Sequence, residues 1–304
     1  LQAGDEIRLA LQAYAGENGV DLKLKGCIRV LYPQVEQYYY DLLIPYQTAC
    51  LLDQNDKTYW NIINSLNESI NLLDLRVPHS EAFEESLQAA SDYFQKKFYG
   101  ELCGSGEDGT QPDIKKGQAL IYCVGHTHID VAWLWTLAVT RQKAVRSFAT
   151  VVNLMEQYPE YIFMSSQPQL YQYVKEDAPE LYEKIKELVK QGRWEVEGSM
   201  WLEPDCNIPS GEAFVRQFLY GKRFFREEFG KDNKILWLPD VFGYSAALPQ
   251  IMKKCGVPYF MTTKISWNEF NKMPYDTFEW EGIDGTRVLT HFVPTRDYNK
   301  AAVE

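Results

Sequence analysis

The segment from Gln118 to Trp135, QALIYCVGHTHIDVAWLW, changes character halfway along its length. Its first half is an apolar run of Leu, Ile, Tyr and Val, the composition of a buried strand, and its second half gathers His126, His128 and Asp130. Side chains at i and i+2 of an extended chain point the same way, so His128 and Asp130 can face one point at a strand end. Imidazole nitrogen and carboxylate oxygen together suit a borderline divalent ion such as zinc, and His126 shares their parity as a third candidate ligand. An isolated His-x-Asp also serves to cap a following helix, and that reading stays open at this point. Trp133 and Trp135 follow at once. An indole face beside a polar cluster is either core packing or a platform for the C–H side of a sugar ring.

Outward from this segment the chain divides in texture. Before it, residues 1 to about 100 read as helices: Tyr59, Ile62, Ile63, Leu66, Ile70 and Leu73 recur at helical spacing, as do Phe83, Leu87, Ala90 and Phe94 after Ser80. This part gathers no catalytic residue types and reads as a helical accessory domain over residues 1–112. The run Gly104-Ser105-Gly106-Glu107-Asp108-Gly109 is the natural boundary. After it, strands alternate with helices: strand 118–125, helix 137–157, strand 162–164, a helix from Pro179 to Gly192, strand 194–196, helix 210–230, strand 235–238, helix 246–255 and strand 259–261. Such alternation predicts an α/β fold with a parallel sheet, either an open sheet or a barrel, over residues 113–304. The tail predicts a hairpin from Phe278 to Phe292 with a type I′ turn at Asp284-Gly285.

In parallel α/β folds the chemistry sits at the carboxyl ends of the strands. Read in turn, those ends carry His128 and Asp130, then Ser165-Ser166-Gln167, then Glu197 with Glu203 and Asp205, then Asp240. All are expected at one mouth. Asp240 follows the apolar strand ILWLP, and its alternative role is to cap the next helix.

Composition narrows the function. A chain of 304 residues has material for two domains. A formal charge of −11 argues against nucleic acid or an anionic membrane as partner, since both would repel it. No stretch reaches the ~20 apolar residues of a membrane span, and the first residues lack a signal-peptide pattern, so a cytoplasmic location is expected. The six cysteines show no paired spacing and read as reduced packing residues. A homo-oligomeric assembly is compatible with the sequence.

Three stretches together resemble the α-mannosidases of glycoside hydrolase family 38, the cytosolic and bacterial branch above all. They are GHTHIDVAW, the run from Trp201 to Glu212, and LPDVFGYS, joined by TTKISWNEFN at 262–271 and WEGIDGTRVLTHF at 280–292. The resemblance implies a barrel-like catalytic domain and a retaining, zinc-assisted hydrolysis of mannose-containing oligosaccharides. It implies zinc held by His128, Asp130 and Asp240, with Asp240 also the nucleophile. Trp133 then corresponds to the ring beneath the bound mannose, Phe242 to an aromatic beside the nucleophile, Lys264 to a basic group near the substrate, and His126 to support behind the ligands. In that family a further histidine and the acid/base carboxyl come from segments well downstream, so this chain is expected to carry part of a truncated site and to lack the general acid. Two other classes compete. Metal-dependent amidohydrolases also place His-x-His after a first strand, and a non-enzymatic helical plus α/β module would bind mannosides without turning them over.

Overall fold

The computed structural model describes residues 30–103, 122–266, 270–271 and 273–293. The chain divides into two compact units, one reaching to Pro112 and one running on from Asp113. The Gly104–Gly109 run lies outside the described residues.

The first unit is helical: α1 (Pro33–Leu51), α2 (Lys57–Ile70) and α3 (Glu81–Phe94), continued by a π-helical segment, Gln95–Leu102. Asp56 and Ser80 cap α2 and α3, their side chains accepting from the amides of Thr58 and Phe83. Phe83, Leu87, Ala90 and Phe94 are buried one turn apart along α3, as their spacing predicts. Buried polar groups join the three helices: the Tyr38 hydroxyl lies 2.7 Å from Ser69 Oγ, which donates to Ala90 O at 2.9 Å.

The second unit holds β1 (Gly125–His126), α4 (Leu137–Gln157), β2 (Phe163–Ser165), α5 (Pro168–Asp177), α6 (Pro179–Lys190), β3 (Trp194–Val196), α7 (Gly211–Phe229), β4 (Ile235–Trp237), α8 (Leu248–Lys254), β5 (Tyr259–Thr262), β6 (Thr277–Glu281) and β7 (Arg287–Phe292). The strands form two sheets, β1-β2-β3 and β4-β5-β7-β6, joined by a parallel bridge between Gly198 and Leu236. Every pairing is parallel except β6 with β7. The fold is thus mixed α/β with parallel strands, and among the described residues β1 and β6 are the outer strands of an unclosed row.

Helix-covered aromatic packing holds the row. Phe148, Phe163, Tyr171 and Trp194 pack between α4, α5 and the β2–β3 pair, with Trp194 Nε1 donating to Tyr171 Oη and that hydroxyl to Ser165 O. A second cluster joins Leu236, Leu238 and Phe260 to Phe214 and Phe218 of α7 and to Leu248 and Met252 of α8. Helix α7 runs between the two signals read for it, with Ser210 accepting from Ala213 N and Gly230 in the left-handed region at φ 68°. At its middle, Gly221 lies against the backbone of residues 199–201, so close that a Cβ there would sit 2.4 Å from Met200 C.

Four expectations need correction. The strand expected at 118–125 is paired only at its end, as β1 (Gly125–His126), among the described residues; 118–121 lie outside them. Tyr122 and Val124 stay exposed, and pairing starts at Gly125, where a side chain would run into the Tyr161 ring. A helix, α5, occupies the stretch before Pro179; it ends where Pro179 prevents continuation, and α6 starts at once. The hairpin turn is not type I′. Gly285 alone has positive φ, 80°, and its amide bonds Gly282 O, the three-residue arrangement of a turn followed by a left-handed glycine. Finally, the described cysteines are free thiols as expected, but Cys50, Cys103 and Cys123 are exposed and Cys255 is half-buried, so that only Cys206 among them is fully packed; Cys27 lies outside the described residues.

Candidate active site

Strand β1 delivers His126 into the interior. Its Nδ1 lies 3.0 Å from Met164 O on β2, and its Nε2 accepts from Trp237 Nε1 on β4 at 3.3 Å. Both nitrogens are therefore used, which fixes the proton on Nδ1, and burial holds the ring's pKa below its ordinary value. With both nitrogens engaged, His126 has no free lone pair to offer a metal ion. Because β1 and β4 stand three places apart in the row yet meet through these rings, the row curves.

Two residues later the chain has left the strand, and His128 faces a group of carboxylates. Its Nε2 lies 3.2 Å from Asp130 Oδ1 and 3.3 Å from Asp240 Oδ2. Its Nδ1 lies 2.9 Å from Glu203 Oε2, an ion pair off the line of a well-formed hydrogen bond. Burial alone would pull the His128 pKa down, but Glu203 and Asp130 outweigh it and push it up to about 9. Asp240, on the loop after β4, meets Lys264 Nζ through its other oxygen, and Lys264 is itself buried.

Capping explains none of this. Helix α4 has Thr136 at its N-cap and α8 has Ala247, so neither His128, Asp130 nor Asp240 caps the helix that follows it.

Backbone placement comes from residues of the β2 end. Gln167 is buried; its Nε2 donates to Ile129 O at 2.9 Å, and its Oε1 accepts from Glu203 N at 3.3 Å. Ser166 Oγ donates to Glu203 Oε1 at 2.9 Å. Thr140 Oγ1 donates to Asp130 O and accepts from Trp135 Nε1, so the aromatic pair hangs from the same loop. Trp133 stands edge-on to Trp135 and is itself 66% exposed. Phe242 is 70% exposed, with Lys264 Nζ 4.6 Å from its ring centre.

The structure thus brings together His128, Asp130, Asp240, Lys264 and Phe242, and it joins Trp133 to Trp135 rather than to the imidazole and carboxylates. Two acids expected at the mouth go elsewhere. Glu197 accepts from the amides of Lys234 and Ile235, fastening β3 to β4, and Asp205 accepts from the amides of Asn207 and Ile208 in its own turn. Glu203, grouped with them in the sequence, is the partner of His128 that spacing did not single out.

The donor set can be tested against a metal. One ligand atom each from His128, Asp130 and Asp240 lies within 4.8 Å of the others. Four-coordinate zinc, with bonds of roughly 2.0–2.2 Å, separates neighbouring ligand atoms by about 3.3 Å. The two separations from His128 Nε2 match that edge, and one imidazole with two carboxylates carries the charge a divalent cation neutralises. The residues fit such an ion.

Residues 118–304 match the family model described as Glycosyl hydrolases family 38 N-terminal domain. The chain is 52% identical over 187 residues to Alpha-mannosidase G of Dictyostelium discoideum, covering 62% of this chain and 17% of that protein. It is 41% identical over 271 residues to Alpha-mannosidase 2C1 of Homo sapiens, covering 89% of this chain and 24% of that one. It is 40% identical over 235 residues to Alpha-mannosidase of Saccharomyces cerevisiae, covering 76% and 21%. The chain spans less than a quarter of the length of each of these relatives. With a family model matched over more than half of its residues, and with the imidazole and carboxylates of that matched region drawn to one point, the chain belongs to glycosyl hydrolase family 38.

Proposed function

We propose that this chain carries the nucleophile and part of the zinc site of a retaining α-mannosidase that acts on mannose-containing oligosaccharides. The observation that carries the reading is the meeting of His128 Nε2 with the carboxylates of Asp130 and Asp240, brought from the ends of two strands. His128, Asp130 and Asp240 would hold the zinc. When bound, that ion supplies Lewis-acid contacts to sugar hydroxyls and charge stabilisation. Asp240 attacks the anomeric carbon as the bond to the glycosidic oxygen breaks, and water later releases the sugar from the carboxylate. Lys264 holds one Asp240 oxygen and so fixes the carboxylate plane. The exposed rings of Trp133 and Phe242 offer apolar faces for the sugar. Neither Glu203 nor Asp205 is assigned as the acid that protonates the leaving oxygen, because Glu203 is engaged by His128 and Ser166 and Asp205 by its turn; in this reading the proton comes from a carboxyl on another segment of the full-length protein.

On the same reading the helical unit up to Pro112 is an accessory domain, the unit from Asp113 is the catalytic one, and the curvature seen at His126 and Trp237 belongs to a barrel-like sheet. The cytoplasmic location expected from the resemblance is part of the proposal. An amidohydrolase reading is disfavoured, since it needs His126 as a ligand and both its nitrogens are occupied.

The test is turnover of an aryl α-mannoside by the full-length protein carrying Asp240→Asn, with thermal melting as the folding control. Asn keeps the shape and removes the nucleophilic charge, so the rate should fall by about 10³-fold or more. A folded variant with near-normal turnover would remove Asp240 from the mechanism. A wild-type protein that binds mannosides without hydrolysing them would support a binding module instead.

A further inference from the structure

Glu203 has no role in the chemistry just derived, yet its placement is unusual. Its side chain is 4% exposed, which for a carboxylate demands compensation. One oxygen has the Ser166 hydroxyl at 2.9 Å. The other, Oε2, is buried and has no aligned hydrogen bond, and the same is true of His128 Nδ1. These two atoms lie 2.9 Å apart, so each is the partner available to the other. We propose that Glu203 is a positioning residue that keeps the proton of His128 on Nδ1 and thereby aims the lone pair of Nε2 at the point shared with Asp130 and Asp240. The proposal rests on the metal reading of that site.

The physical reason lies in the two-sidedness of imidazole. A neutral ring carries one N–H and one lone pair, and which nitrogen has which is set by what the other faces. With an acidic acceptor behind Nδ1, the hydrogen there is retained, and the proton that an incoming cation displaces is the one on Nε2. Without it, the hydrogen can move to Nε2, where it points a donor at the spot an ion would occupy. Glu203 is itself held on two sides, by Ser166 through its carboxylate and by Gln167 through its backbone amide, and Gln167 also grips Ile129, the residue between His128 and Asp130. One buried glutamine thus fixes the spacing between the ligand loop and the acid behind it. Partners of this kind are typically worth 10–100-fold in metal affinity.

The experiment measures zinc affinity by chelator competition on full-length wild type, Glu203→Gln and Glu203→Ala, with melting of each metal-free form. Gln can still accept from Nδ1–H, so its affinity should stay within a few-fold of wild type, whereas Ala should weaken binding about 10–100-fold. A merely structural role would lower the metal-free melting temperature of both variants without separating their affinities. Zinc held by Glu203→Ala as tightly as by wild type, with wild type binding normally, would overturn the role of Glu203 alone. Failure of the wild type to bind zinc would overturn the metal reading beneath it.

Discussion

His126 and His128 sit two positions apart and are driven in opposite directions. Burial pulls the His126 pKa down against the pull of Glu203 and Met164 O, while Glu203 and Asp130 outweigh burial at His128 and raise it to about 9. Glu197 shows the same competition in an acid. Burial is the largest influence on its pKa and raises it, against the pull of the Ile235, Lys234 and Gly198 amides and the Asn233 side chain. A carboxyl whose folded pKa lies above its unfolded one binds its proton more tightly when folded. The stability it contributes is therefore complete below its ordinary value of 4.5 and is lost as pH rises through the raised one. Glu197→Gln keeps an oxygen acceptor for those amides and removes the charge. Relative to wild type, the variant should gain stability between about pH 4 and about pH 7, read as urea midpoints at the two values. A difference between the two proteins that does not change with pH would contradict this account.

At the scale of elements, the contact of α7 with the chain leading to Glu203 is the most confined. A Cβ on Gly221 would lie 2.4 Å from Met200 C, 2.5 Å from Ser199 O and 2.7 Å from Trp201 N, all backbone atoms that cannot turn aside. Gly221→Ala should destabilise the fold by about 1–3 kcal/mol, seen as a lower melting temperature with helix content retained. Unchanged melting would mean that α7 can slide. The helix itself was legible from its two ends, because Ser210 and Gly230 are local signals, and so were the parallel pairing of the alternating strands and the meeting of His128, Asp130 and Asp240 at one end of them. The close approach at Gly221 was not legible, since it is a contact between distant stretches. The same holds for Glu203 and Glu197. Both follow the same strand, and only the packing sends one to an imidazole and the other to the start of β4. Helix α5 was missed because its ten residues abut α6, and a connection was read where a second helix had formed.

The whole molecule is acidic, and no helix among the described residues is long and apolar enough to cross a membrane. Its candidate ligands have a further consequence for folding. His128 and Asp240 are separated by more than a hundred residues of chain, a span that includes β2, β3, β4 and four helices. An ion gripping both would act as a clasp on that span, a reversible counterpart of a covalent cross-link, and the unfolded chain, with the two ends apart, could not hold it in the same way. Zinc should then raise the melting temperature of the metal-stripped protein, with a stabilisation of about 2.7 kcal/mol when free metal is ~100 times the dissociation constant. His128→Ala should flatten that response. Equal gains in both proteins would place the ion elsewhere. With such a clasp, metal supply would govern how long this half of the chain survives proteolysis.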